Sequence, residues 1–264
     1  MTEPPPVTLT REGRVAVVTL KRGDRLNALS GAVMLALTEV ARALRGDTST
    51  SAVILTGDPV FSAGADLADP ARHERAGAAL IDRREAMRAG PDMCAAWEAL
   101  DQVTIAAVEG FCIGGGVSLA TSCDFRIAAR GAHFRLPEIP LGMNMSWHTQ
   151  PRLVNLIGPA RTKRLVIFGE RLSAEEAFAW GLVDELTHDG DAAAAARAWA
   201  DKAAALPPIP VRMAKRAITQ AATALNPTST FMDLDQFLLA SATADHAEAI
   251  AAFFEKRPGR FTGD

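Results

Sequence analysis

A chain of 264 residues with 48% hydrophobic and 22% charged residues has the make-up of a globular protein, which excludes a disordered chain and a coiled coil. That length buries a substantial core, in one large domain or two modest ones, without metal or disulfide staples. A formal net charge of −3 leaves no basic footprint for nucleic acid, and three cysteines (Cys94, Cys112, Cys123) without CxxC spacing point to buried thiols in a reducing, cytoplasmic setting.

The first residues carry no basic patch followed by an unbroken apolar run, so no secretory signal is expected. Residues 7–9 and 15–20, rich in β-branched side chains and flanking Gly13, predict a hairpin. Ser30 is placed to cap a helix reaching about Leu44, with Val33, Leu37, Val40 and Leu44 on one stripe. A buried strand follows at 52–56, then the aperiodic segment 61–67. Residues 71–100 have a helical pattern broken near Gly90-Pro91. A strand at 105–108 leads into the glycine cluster 110–116 and a helix over 117–122. The apolar stretch 104–120 is interrupted by Glu109 and glycines and is too short to span a bilayer. A strand at 125–128 precedes the Pro-flanked segment 133–138. Beyond Leu141 nearly everything reads as helix, apart from a short strand at 182–186 and a stiff break at 206–210. The fold class expected is α/β, with residues 1–190 as catalytic core and 191–264 as a helical C-terminal region.

Familiar chemical templates fail. Gly116 stands where a phosphate loop needs lysine, and Leu119 where a dinucleotide fingerprint needs a small residue. Five scattered histidines (His73, His133, His148, His188, His246) offer no metal-ligand spacing, so no metal is expected. Gly116-Val-Ser118-Leu-Ala120 is a near miss to a nucleophile elbow, and with Asp184 and His246 it leaves a serine hydrolase as the weakest reading.

Two segments have a stronger pattern. Residues 61–67 place small side chains where a strand ends, and residues 113–117 put glycines at the first turn of a helix, where N–H groups are free. Aimed at one point, two such donors make an oxyanion hole; the alternative is two ordinary tight turns. Glu138, set in Leu136-Pro-Glu-Ile-Pro140, is a candidate carboxyl with a raised pKa.

In order along the chain, Arg25-Leu-Asn-Ala-Leu29, Ser62-Ala-Gly-Ala-Asp-Leu67, Gly114-Gly-Gly116, Cys123-Asp124, Leu136-Pro-Glu138, Gly181-Leu-Val183 and Phe253-Phe-Glu-Lys-Arg257 resemble the crotonase superfamily of enoyl-CoA hydratases and isomerases. The resemblance covers essentially the whole chain. It implies a spiral of β-β-α turns and a helical C-terminal region that builds a homotrimer or hexamer. The implied substrate is an acyl-CoA thioester, with no separate cofactor because coenzyme A belongs to the substrate. It implies catalysis by Glu138 with the amides of Ala65 and Gly115. It places Arg25, Leu26, Ala63, Asp66 and Leu67 along the coenzyme A site, with Phe253 and Lys256 reaching it from the tail.

The departures concern the chemistry. Hydratases of this family use two glutamates, and the one due three residues after Gly115 is here Ser118. Family isomerases use a single glutamate at the Glu138 position. Where lysine often follows the 61–67 segment, this chain has Ala68. A glycine-rich loop is replaced by the bulkier 143–149 segment, in which His148 is a candidate base and Trp147 with the methionines Met143 and Met145 are candidates to shape an acyl pocket, or all of them pack a helix start. Hydratase, isomerase and a non-catalytic acyl-CoA binder stay open at this stage.

Overall fold

The computed structural model describes residues 5–71 and 77–264. Residues 72–76 of the segment expected to be helical, His73 among them, lie outside the described residues.

β1 (Val7–Glu12) and β2 (Val15–Leu20) form the expected antiparallel hairpin around Gly13, whose φ of +61° suits the turn. From β2 the sheet grows by parallel pairing alone, through β3 (Ala52–Gly57), β4 (Val103–Val108), β6 (Phe125–Ala129) and β9 (Glu185–Thr187). A second, three-stranded sheet holds β5 (Phe111–Ile113), β7 (His133–Arg135) and β8 (Leu172–Ser173). Ser62 bridges Cys112 of β5 in parallel, so the chain leaving β3 joins the small sheet just as β4 and β6 continue into β5 and β7. That repeated step from large sheet to small sheet is the spiral of β-β-α turns.

Every residue of β3 is buried, as a parallel strand covered on both faces must be. On one face Val53 and Leu55 join Leu37 and Leu44 of α1 (Gly31–Arg45) and Trp97 of α3 (Ala89–Glu98). On the other, Ile54, Ile105 and Ile127 meet Ala192, Ala196 and Ala200 of α7 (Ala192–Ala204), whose small side chains along one stripe let the helix lie close to the sheet. Glu109 caps α7 by accepting the N–H groups of Gly190 (3.1 Å) and Ala192 (2.9 Å). The boundary expected near Gly190 falls just before this helix.

Ser30 caps α1 as anticipated, its hydroxyl accepting the Val33 N–H at 3.4 Å. The helical break near 90 lies earlier than expected, between α2 (Leu80–Ala86) and α3, and Gly90-Pro91 sit inside the first turn of α3. Proline is tolerated there because its missing N–H has no intrahelical partner in any case. α5 (Thr149–Phe168) joins two expected helices across a kink at Gly158, φ +77°. α6 (Ala174–Trp180) starts on a Ser173–Glu176 capping box.

Four helices close the chain: α8 (Pro208–Thr223), α9 (Pro227–Thr230), α10 (Asp233–Ser241) and α11 (Ala244–Glu255). α8 buries none of its residues, and Ile209, Met213, Ile218, Leu225, Phe231 and Leu239 stay exposed in this region. No described helix is long and apolar enough to cross a membrane.

The turn after β3 depends on Gly57, where an added Cβ would sit 2.2 Å from the Val60 carbonyl oxygen and 2.5 Å from that of Phe61. Gly57→Ala is expected to cost about 2 kcal/mol, because backbone rather than a flexible side chain must give way; denaturant unfolding measures it.

Candidate functional site

The site is assembled from the loops that leave the strands. After β3, Leu29 donates its N–H to the Gly64 carbonyl (2.7 Å) and accepts that of Asp66 (3.1 Å). This parallel bridge steps over Ala65, whose own N–H therefore points away from Leu29. Ser62 fixes the loop, donating to the Asn27 carbonyl (2.8 Å) and accepting the Gly64 N–H (3.0 Å). Gly64 needs its glycine, with φ at +85° and Ile113 backbone filling the place of a side chain.

After β5, Gly114 donates its N–H to the Arg135 carbonyl (2.8 Å), and its own carbonyl accepts the N–H groups of Val117 (2.9 Å) and Ser118 (3.2 Å). The Gly115 N–H, in the first turn of α4 (Gly115–Ala120), is left without an acceptor among the described residues. A Cβ on Gly64 would lie 3.2 Å from the Gly115 nitrogen, so the two predicted donor loops touch.

Glu138 lies against the same glycines: a Cβ on Gly114 would come within 2.7 Å of its Oε1. Oε2 is enclosed and has no hydrogen-bond partner among the described residues. Burial pushes the carboxyl up to about 7, against the opposing pull of its own backbone amide and of Arg135. The site thus pairs a carboxyl that titrates near neutrality with main-chain donors free to receive negative charge.

Ser118 is fully buried, and its hydroxyl lies 2.6 Å from Thr149 Oγ1, which is also 2.6 Å from the Ser146 carbonyl. Within the segment preceding α5, Trp147 (φ +60°) and His148 (φ +57°) are consecutive left-handed residues that are not glycine. Two contacts hold them there: Asp233 Oδ2 accepts the His148 N–H at 2.9 Å, and Arg152 Nη1 donates to the Trp147 carbonyl at 2.8 Å. Burial and Arg152 hold the His148 ring below its ordinary pKa, while Glu98 and Asp92 of α3 pull it up. The Trp147 indole occupies the space a side chain on Gly115 would take, Cζ3 lying 2.3 Å from that Cβ position, and likewise the side-chain space of Gly90.

The other predicted residues are divided. Arg25 is exposed on the 3-10 turn Gly23–Arg25, Leu26 is 46% exposed, and the Leu26 carbonyl accepts the Ala63 N–H at 3.0 Å. Leu67 is half-buried. Asp66 faces inward, ion-paired with Arg22 at 2.7 Å and accepting the Ala68 N–H at 3.0 Å. Phe253 and Lys256 are exposed at the far end of α11, whose other end meets the site through His246 Nδ1 and the Leu141 carbonyl (2.9 Å). At 1.5 Å per residue, Lys256 lies roughly 15 Å along the helix from that contact.

The serine hydrolase residues do not come together. Ser118 is engaged with Thr149, Asp184 with Arg126 at 3.0 Å, and His246 with Leu141. Asp124 of the Cys123-Asp124 motif is structural, accepting the Thr104 N–H (2.8 Å) and pairing with Lys215 (2.7 Å). Among the described residues no cluster of His, Cys, Asp and Glu is fit to hold a metal ion. Arg22, Asn27 and Thr149 were not singled out as site residues; each acts by holding a loop, a role that local sequence does not signal.

A family model described as enoyl-CoA hydratase/isomerase matches residues 10–264. A short-chain-enoyl-CoA hydratase of Clostridium acetobutylicum is 34% identical over 253 residues, covering 95% of each chain. A probable enoyl-CoA hydratase of Mycobacterium bovis is 36% identical over 260 residues, covering 97% of each. Among solved structures, a carnitinyl-CoA hydratase from Mycobacterium avium superposes with a TM-score of 0.86 at 30% identity, over 99% of this chain and all of the other.

Proposed function

The chain belongs to the enoyl-CoA hydratase/isomerase family of the crotonase superfamily, and from that premise we propose that it moves a proton at the α-carbon of an enoyl-CoA thioester with Glu138 as its single acid/base. The observation that carries this reading is Glu138 itself, a carboxyl titrating at about 7 and lodged on the glycine loop beside unpaired main-chain N–H groups. The thioester oxygen sits on the N–H groups of Ala65 and Gly115. Those donors act most strongly once the α-proton has left and the oxygen carries enolate charge.

Isomerisation needs only this machinery. The Glu138 carboxylate takes a proton from the α-carbon of a 3-enoyl thioester, the double bond shifts as the enolate collapses, and the Glu138 carboxylic acid returns the proton to the γ-carbon. Ser118 supports this choice, since a hydroxyl bonded to Thr149 accepts no proton from water near neutral pH. Hydration is the second reading, favoured by the names of the relatives. A silent acyl-CoA binder is the outcome if neither substrate turns over.

Arg25, Leu26, Ala63 and Leu67 line the coenzyme A site in this reading, while Asp66 holds the loop through Arg22. The exposed apolar side chains of α8–α11 pack against copies of the chain in a trimer or hexamer, and that assembly brings Phe253 and Lys256 of one subunit to the site of another. The protein works in the cytoplasm with no cofactor beyond the coenzyme A of its substrate.

The ultraviolet absorbance of the conjugated thioester tests the choice, on 2-enoyl-CoA and 3-enoyl-CoA in parallel. Gain of conjugation from the 3-enoyl substrate alone is expected. Loss of conjugation from the 2-enoyl substrate, with a 3-hydroxyacyl product, overturns it in favour of hydration. The pH profile gives an independent sign. Isomerisation begins with the carboxylate, so kcat/KM rises about tenfold per unit below about pH 7 and levels off above it. Hydration that draws its α-proton from Glu138 requires the carboxylic acid and falls above the same pH.

A further inference from the structure

We propose that Trp147 is a specificity-determining wall that limits this enzyme to short acyl chains, an inference that rests on the acyl-CoA reading above. The indole lies between two glycines and takes the side-chain space of both. Cε2 is 2.0 Å and Nε1 2.4 Å from the place of a Cβ on Gly90 in α3, while Cζ3 is 2.3 Å and Cη2 2.6 Å from the place of a Cβ on Gly115 in α4. A side chain on either glycine would collide with the ring, so the two glycines and the tryptophan form one fitted unit.

The ring is also held from behind. Both Trp147 and His148 are in the left-handed region, and the one peptide between them is gripped at both ends, its N–H by the Asp233 carboxylate and its carbonyl by the Arg152 guanidinium. Arg152 is itself clamped by Glu98 of α3 at 2.7 and 3.1 Å, so the wall is tied to the helix it leans on. A ring set this way does not swing aside to admit a longer ligand.

Its location gives the wall its meaning. Gly115 supplies one N–H for the thioester oxygen, and Glu138 touches the neighbouring Gly114. A substrate whose α-carbon is within reach of Glu138 therefore has its first acyl carbons against Gly114 and Gly115. The indole abuts that same Gly115, so an acyl chain that grows from the α-carbon past Gly115 meets the ring after a few carbons. In a closed apolar pocket one methylene too many changes discrimination by about 10–200-fold.

Calorimetric binding of saturated butanoyl-CoA and decanoyl-CoA tests the wall without requiring turnover. The unmodified protein is expected to bind the decanoyl thioester at least tenfold more weakly. Trp147→Gly removes the ring and suits the left-handed backbone, and is expected to raise decanoyl affinity relative to butanoyl at least tenfold. Trp147→Phe, a smaller ring, is expected to fall between. Equal or tighter decanoyl binding by the unmodified protein overturns the proposal whatever the variants do, as does an unchanged ratio in folded Trp147→Gly. Should neither thioester bind, this inference falls together with the acyl-CoA reading. A short-chain preference without turnover on any enoyl-CoA keeps the wall and removes the proposed chemistry.

Discussion

Glu138→Gln is expected to lower turnover of enoyl-CoA thioesters by about 10²- to 10⁴-fold, the range a positioned acid/base supplies, while thioester affinity changes by no more than a few-fold. The amide keeps the shape that rests on Gly114 but cannot carry the proton, and the donors at Ala65 and Gly115 are untouched. Steady-state kinetics with an acyl-CoA titration measures both; turnover above a tenth of the parent rate removes Glu138 from the mechanism. The same substitution has a thermodynamic signature. The carboxyl titrates at about 7 in the folded protein against 4.5 when free, so it is neutral in both states below pH 4.5 and burdens only the folded state above 7. Its stability contribution is fully present below the unfolded pKa and is lost as pH rises through the folded one. Between pH 4.5 and 8 the parent protein should lose about 3 kcal/mol relative to the glutamine variant, which has nothing to titrate there.

Glu98→Ala is expected to destabilise the protein by about 3 kcal/mol and lower Tm by roughly 6–10 °C. Arg152 is 4% exposed and donates to both Glu98 oxygens, so removing the carboxylate leaves a buried guanidinium without its ion-pair partner. Glu98 is itself 29% exposed, which places the loss at the lower end for a broken buried pair. Glu98→Gln, which retains an oxygen for one of the two bonds, should lose about half as much. Thermal melting of both variants checks the pair, and a loss below about 1 kcal/mol for the alanine shows that Arg152 finds other compensation. The effect reaches the site because Arg152 also holds the Trp147 carbonyl.

Much of this architecture is local and was legible. The hairpin about Gly13, the Ser30 cap and the strand at 52–57 follow from residue type and period within a few positions. The break before α3 was misplaced because Gly90-Pro91 carries a strong turn signal, yet a helix's first turn accepts proline and the glycine is there for an indole 57 residues away. Ordered motifs indicated which loops matter, and the touching of Gly64 and Gly115 gives that expectation a physical form. What was not legible is which side chains complete a loop rather than face a ligand. Asp66 sits in a motif expected to line a site but is held by Arg22, and Ser118 is closed off by Thr149; both pairings depend on segments brought together only by the fold.

The donors in the proposed site are peptide groups, and that shapes how such a protein changes over generations. Any residue but proline carries an N–H, so substitution at Ala65 does not delete a donor; the charge-stabilising half of the site is inherited with the path of the chain. Selection is left to act on the side chains ranged around it: Ser118, Glu138 and Trp147. On the proposed mechanism, exchanges at those three positions are the ones that would redirect a lineage toward a new reaction or substrate length. Gly115 is the exception, because a bulkier heir there evicts the indole and so needs a second, matching change at 147.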